Sequence, residues 1–137
     1  MQLLPYLYFD GDCEMAFRFY EKCFGGRIEE MVTHAGTPAE QQVPAEWRSK
    51  ILHARLAVGD VVLMASDAPP GRYHKPQGFS VSIQIPELSR AERTFQSLAE
   101  SGTVIMPFRE TFFAARFGML VDKFGTPWMV NCDWAPR

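Results

Sequence analysis

At ~150 residues per domain, a chain of 137 residues amounts to one compact unit, and two large domains are excluded. Hydrophobic residues at 47% against 22% charged ones supply a buriable core and exclude a disordered chain. The 14 Lys+Arg against 16 Asp+Glu leave a net charge of −2 with no basic run, so nucleic acid is not an expected partner, and no apolar stretch approaches the ~18 residues of a membrane span.

The apolar start, residues 1–9, has no basic flank and runs into Asp10 and Asp12, so an unexported cytoplasmic protein is expected. Residues 3–9 read as a strand stopped by Asp10-Gly11-Asp12. From Cys13 to Phe24, Met15, Ala16, Phe19, Tyr20, Cys23 and Phe24 form one helical face, and Gly25-Gly26 ends the helix. Residues 27–34 read as a strand and 35–50 as a polar loop with one helical turn, and His34 beside that loop is expected to be solvated. The strand 51–58 alternates, with His53, Arg55 and Ala57 on its less apolar face. Gly59-Asp60 turns the chain into a fourth strand, 61–65.

Residues 67–78 contain Pro69, Pro70, Gly71, Pro76 and Gly78 and read as a linker. Beyond it the order restarts. A strand at 79–85 is followed by Ser89-x-x-Glu92, the spacing of a capping box, opening a helix that buries Ala91, Phe95, Leu98 and Ala99 and stops at Gly102. Strands at 103–108, 116–122 and 128–132 complete the chain. Cys13, Cys23 and Cys132 have no C-x-x-C spacing, so reduced thiols are expected and not a disulfide framework or zinc knuckle. The pattern is βαβββ twice, in modules 1–66 and 79–137 of a single domain spanning 1–137; an ordinary α+β sandwich with similar halves fits the same periodicities.

The helix residues Ala16-Phe17-Arg18-Phe19-Tyr20-Glu21-Lys22-Cys23-Phe24-Gly25-Gly26 resemble the A-x-x-F-Y-x-x-x-F-G-G motif of the vicinal oxygen chelate superfamily, the glyoxalase/bleomycin-resistance fold. Asp122-Lys123-Phe124-Gly125-Thr126-Pro127-Trp128 resembles the D-x-F-G-x-x-W motif of its PhnB-like branch, often labelled 3-demethylubiquinone methyltransferase-like. The resemblance implies an α+β chain whose two tandem βαβββ modules form a cupped eight-stranded mixed sheet, together with a homodimer and a small-molecule ligand. It also implies, in metal-dependent members, His, Glu or Gln ligands on the first and last strands of each module. Here those positions fall at Leu4 or Pro5, Leu63 or Met64, Ser80 and Met129, none a good donor for a divalent ion, so neither metal nor cofactor is expected.

The candidate ligand-binding residues are therefore His53, Arg55, Ser80, Ser82, Arg116, Met129 and Asn131, with no catalytic residue assigned. Matching Val58-Gly59-Asp60 to Val121-Asp122-Lys123 places His53 opposite Arg116 in the repeat, which points to an anionic ligand. His53 and Arg55 alternatively lie on a solvated face paired with Glu29 or Glu30. Alternation puts Ser80, Ser82 and Gln84 on one face of their strand, and Trp128 opposite Met129 and Asn131. No nucleophile motif, phosphate loop or adenosyl-cofactor glycine motif is present. The competing function is a metal-dependent lyase, isomerase or dioxygenase whose ligands have moved to His53, Glu110 or Asp122.

Overall fold

The computed structural model describes residues 1–134. The strands are β1 (Tyr6–Phe9), β2 (Arg27–Thr33), β3 (Ile51–Val58), β4 (Val61–Asp67), β5 (Val81–Gln84), β6 (Thr103–Arg109), β7 (Arg116–Val121) and β8 (Pro127–Cys132). The helices are α1 (Cys13–Phe24) and α2 (Leu88–Ala99). The chain divides between His74 and Lys75 into two compact units. Each contains one four-stranded mixed sheet, ordered β1-β4-β3-β2 in the first and β5-β8-β7-β6 in the second. In each the first and last strands pair in parallel and the rest antiparallel. This is the expected α+β, twice-repeated βαβββ architecture.

In the first unit α1 covers the face of the sheet carrying Leu7, Phe9, Ala54, Leu56 and Ala65, all buried. Phe9, Phe17 and Tyr20 pack with ring centroids 6.0–6.4 Å apart. The buried stripe of α1 is Cys13, Ala16, Phe17 and Tyr20, rotated from the expected one, and Met15 is exposed. Gly25 takes the left-handed conformation (φ 69°), and Gly26 N–H donates to the Glu21 carbonyl at 3.1 Å.

The N-terminus of α1 is held from elsewhere. Asp12 makes no side-chain cap. Oδ1 of Asp67, 54 residues from Cys13, accepts from Gly11 N–H at 2.9 Å and Cys13 N–H at 3.0 Å, and Oδ2 accepts from Ile51 N–H at 2.8 Å. Asp67 is thus the buried last residue of β4 and not the first residue of a linker. Burial, together with nearby Asp67 and Asp10, raises the Asp12 carboxyl above its ordinary 3.8. A raised carboxyl favours the folded state when protonated, and that contribution is lost as pH rises through the folded value. Asp12→Asn is therefore expected to melt above wild type at pH 7, with the gap closing as pH falls towards 3.8 in a pH series of thermal melts.

His34, expected in solvent, is buried and its ring Nδ1 donates to the Lys50 carbonyl at 2.9 Å; the same carbonyl takes its backbone N–H at 3.1 Å. The polar loop curls back far enough to need this internal donor. Burial also pushes the Cys13 thiol up, which leaves it an unreactive core group.

In the second unit α2 begins one residue before Ser89, with Glu87 in extended geometry and no side-chain cap bond. The capping box is not formed, because the chain turns helical directly after Pro86-Glu87 and leaves Ser89 inside the first turn. Ala91, Thr94, Phe95 and Leu98 are the buried stripe. They pack towards Leu120, Trp128 and Val130, and Phe95 stacks on Phe108 at 5.2 Å. Asp122 closes the β7–β8 turn: its carboxylate accepts from Phe124 N–H (2.8 Å), Thr126 N–H (3.1 Å) and Trp128 Nε1–H (2.8 Å).

Candidate functional site

A sheet covered by one helix on one side has a second, open side, and the register shows which residues occupy it. In the first unit Tyr6, Arg55 and Met64 are register partners, with Tyr8 and His53 two residues along their own strands. All lie opposite the helix-facing set. The Tyr6 and His53 rings stack at 5.8 Å and 24°, the Tyr6 hydroxyl lies 3.2 Å from His53 Nδ1, and Tyr8 sits 5.2 Å from Tyr6. A Tyr6 hydroxyl donating to Nδ1 leaves the ring proton on Nε2, which points at Glu30 across 3.8 Å. Arg55 Nε donates to Glu29 at 3.1 Å, and Arg27 also approaches Glu29 at 3.5 Å. His53 and Arg55 thus share the open face with the acidic pair that sequence reasoning had set against them.

In the second unit Ser82, Met129 and Met119 are register partners, as are Gln84, Asn131 and Phe117. Ser80 precedes the strand and is half-buried. Asn131 Nδ2 donates to Gln84 Oε1 at 2.8 Å and to Asp133 Oδ1 at 2.7 Å, and Gln84 Nε2 donates to Ser82 Oγ at 3.1 Å. Trp128 faces the other way, into the core.

Arg116 is not with them. Leu56 pairs with Leu63 as Leu120 pairs with Trp128, so Ala57 corresponds to Val121 and His53 to Phe117, one residue away from the expected match. The cause is the turn: β3 and β4 join through Gly59-Asp60, whereas β7 and β8 enclose five residues, 122–126. A slip of one residue moves a side chain to the other face. Arg116 accordingly shares the helix-facing side with Gly118, whose added Cβ would lie 2.6 Å from Phe95 Cε2, and its Nη1 donates to the Ala115 carbonyl at 2.7 Å.

Tyr6 and Tyr8, hidden when residues 3–9 are read as a uniformly apolar run, alternate with Leu7 and Phe9, and that alternation carries the signal. Phe117 was missed through the register slip.

On the open faces the register sets a phenol (Tyr6) beside the Met64 thioether and a hydroxyl (Ser82) beside the Met129 thioether, side chains that do not fit a divalent ion. Among the described residues no three His, Cys, Asp or Glu side chains stand close enough to hold one. Asp122, a candidate relocated ligand, already spends both oxygens on its turn, and Glu110 is exposed outside the strands.

Residues 2–130 match the model of the glyoxalase/bleomycin resistance protein/dioxygenase superfamily. The chain belongs to that superfamily. This member is 32% identical over 139 residues to protein YjdN of Escherichia coli, covering 96% of this chain and 95% of YjdN. Among solved structures it is similar to protein PA1353 of Pseudomonas aeruginosa, at 46% identity and TM-score 0.89 with 97% and 98% of the two chains covered. It shares its fold with the PhnB protein of Bacillus cereus, at 21% identity and TM-score 0.80 over 96% and 99%. No helix among the described residues of this superfamily member is long and apolar enough to cross a membrane.

Proposed function

We propose that this member of the superfamily is a binding protein that takes a planar small organic molecule on the open faces of its sheets, through aromatic and hydrogen-bonding side chains and without a divalent metal. The observation that carries the reading is the Tyr6–His53 stack with Tyr8 beside it, aromatic rings left exposed on the side away from the helix. An apolar wall with few polar groups suits small ligands. On the first unit's face Met64 supplies an adaptable wall beside the tyrosines; on the second unit's face, taken by itself, Met129 does so with Ser80, Ser82 and Asn131 as the polar groups. A ligand carboxylate would gain Arg55 only by displacing Glu29, so the face favours neutral hydrogen-bonding groups over anions.

A thermal-shift and calorimetry screen of neutral planar aromatic and quinone-like compounds, with aromatic acids and phosphonates as the anionic comparison, tests this. Tyr6→Ala is expected to weaken hits about two- to twelvefold, the ~0.5–1.5 kcal/mol of an aromatic contact, with Arg116→Ala within about twofold of wild type. Loss of binding in Arg116→Ala with Tyr6→Ala unchanged contradicts the reading.

We further propose that the protein works in the cytoplasm as a homodimer. β2 and β6 are sheet edges, and β6 exposes Val104 and Ile105, a strand edge that needs cover. Light scattering at micromolar concentration is expected to give twice the chain mass; a monomer overturns it.

A further inference from the structure

We propose that the open face of β5 and β8 reads the edge of a cyclic amide, the adjacent N–H and C=O of an aromatic lactam or imide. The proposal rests on the small-molecule reading above and names the ligand's chemistry. The polarity of the strip is dictated from one end. A carboxylate only accepts, so the Asn131 atom 2.7 Å from Asp133 Oδ1 is Nδ2. The other hydrogen of that nitrogen goes to Gln84 across 2.8 Å, which fixes the Gln84 atom there as Oε1. Gln84 Nε2 then faces Ser82 Oγ at 3.1 Å and donates to it.

Among the described residues, what remains for a ligand is ordered: an acceptor at Asn131 Oδ1, one hydrogen on Gln84 Nε2, and the Ser82 hydroxyl hydrogen. Gln84 and Asn131 are register partners on adjacent strands, so both amides lie on the same open face of the sheet. A lactam N–H donates to Asn131 Oδ1 while its C=O accepts from Gln84 or Ser82. A carboxylate, which offers acceptors alone, leaves Asn131 Oδ1 facing another oxygen.

Beside the strip stands an aromatic cluster. Phe117 is the register partner of Asn131 across β7 and β8. Phe113 meets Phe117 edge-on at 5.0 Å, and Phe112 meets Phe113 at 5.2 Å with 97% of its surface exposed. The loop displaying them is pinned: Thr111 Oγ1 accepts from Phe113 N–H at 3.3 Å and Ala114 N–H at 3.1 Å, and Ala114 is fully buried. Exposed rings on a fixed loop next to an oriented polar strip fit the plane and the edge of one heteroaromatic ligand.

The test is an NMR titration of nitrogen-labelled protein with isoquinolin-1(2H)-one and its N-methyl derivative, which keeps the ring and C=O but cannot donate. The lactam is expected to bind at least about tenfold tighter than the N-methyl compound and to shift the Gln84 and Asn131 side-chain amides. That preference should fall below about threefold in Asn131→Ala and in Asp133→Asn, whose new amide no longer dictates the direction of the strip. Phe113→Ala should weaken both probes alike. The spectra themselves verify that each variant is folded. Equal affinity of the two probes on this face overturns the amide-edge proposal and leaves small-molecule binding standing. No shift on any open face with either probe, together with no hit in the broader screen, defeats both.

Discussion

Asp67→Ala is expected to cost about 3–5 kcal/mol, a fifth or more of the ~5–15 kcal/mol that a domain of this size has in total. The mutation strands the N–H groups of Gly11, Cys13 and Ile51, which one buried carboxylate now receives at 2.8–3.0 Å. Each buried donor left without an acceptor costs about 1–3 kcal/mol, partly recovered where water reaches Gly11. Asp67→Asn separates acceptor loss from packing loss. It keeps Oδ1 for the helix start but turns an amide hydrogen towards Ile51 N–H, so it should cost about 1–3 kcal/mol. Urea unfolding measures both; an Asp67→Ala loss under about 1 kcal/mol contradicts the assignment.

Gly102→Ala carries the second large effect. A Cβ there would lie 2.5 Å from the Val121 carbonyl oxygen and 3.0 Å from Asp122 Cα, backbone atoms that cannot swing aside. Gly26 meets the Ala57 carbonyl oxygen in the same way at 2.6 Å. Ala57 and Val121 are the positions that the sheet registers equate, so the same close crossing of helix exit over sheet is built twice. Overpacking against backbone should cost about 2–4 kcal/mol in either variant, towards or above the upper end of what inserted methylenes usually cost. Gly25→Ala is the control: its added Cβ meets nothing within 4 Å, and only the left-handed backbone opposes it, at about 1 kcal/mol. Denaturant midpoints should rank Gly25→Ala as the mildest; Gly102→Ala within about 0.5 kcal/mol of wild type contradicts the crowding.

The order of elements was legible because period-2 and period-3.6 patterns are local and punctuated by Gly25-Gly26, Gly59-Asp60 and Gly102. What stayed hidden depends on contacts distant in sequence. Asp67 sits after an apolar strand and before two prolines, and nothing local says that its carboxylate reaches Gly11 and Ile51. Arg116 was assigned to the wrong face because two turns of different length, two residues and five, cannot be aligned by their ends. Ser82 and Asn131 were legible from alternation alone; Asp133, which sets the direction of their hydrogen bonds, was not, because that role appears only once β5 and β8 are paired. Tyr6 and Tyr8 were hidden by chemistry, since a tyrosine counts as apolar in a run and as polar on an open face.

The central claim is that ligands bind on the open sheet faces and not over the helices. Methyl-labelled methionine spectra test it directly, because Met64, Met119 and Met129 lie on the open faces by register while Met15 lies exposed on α1. Titration with the strongest hit from the aromatic screen should move the methyl signals of Met64, Met119 or Met129 in a saturable way and leave Met15 in place. Saturable shifts confined to Met15, or none at Met64, Met119 and Met129 with any hit, would contradict it.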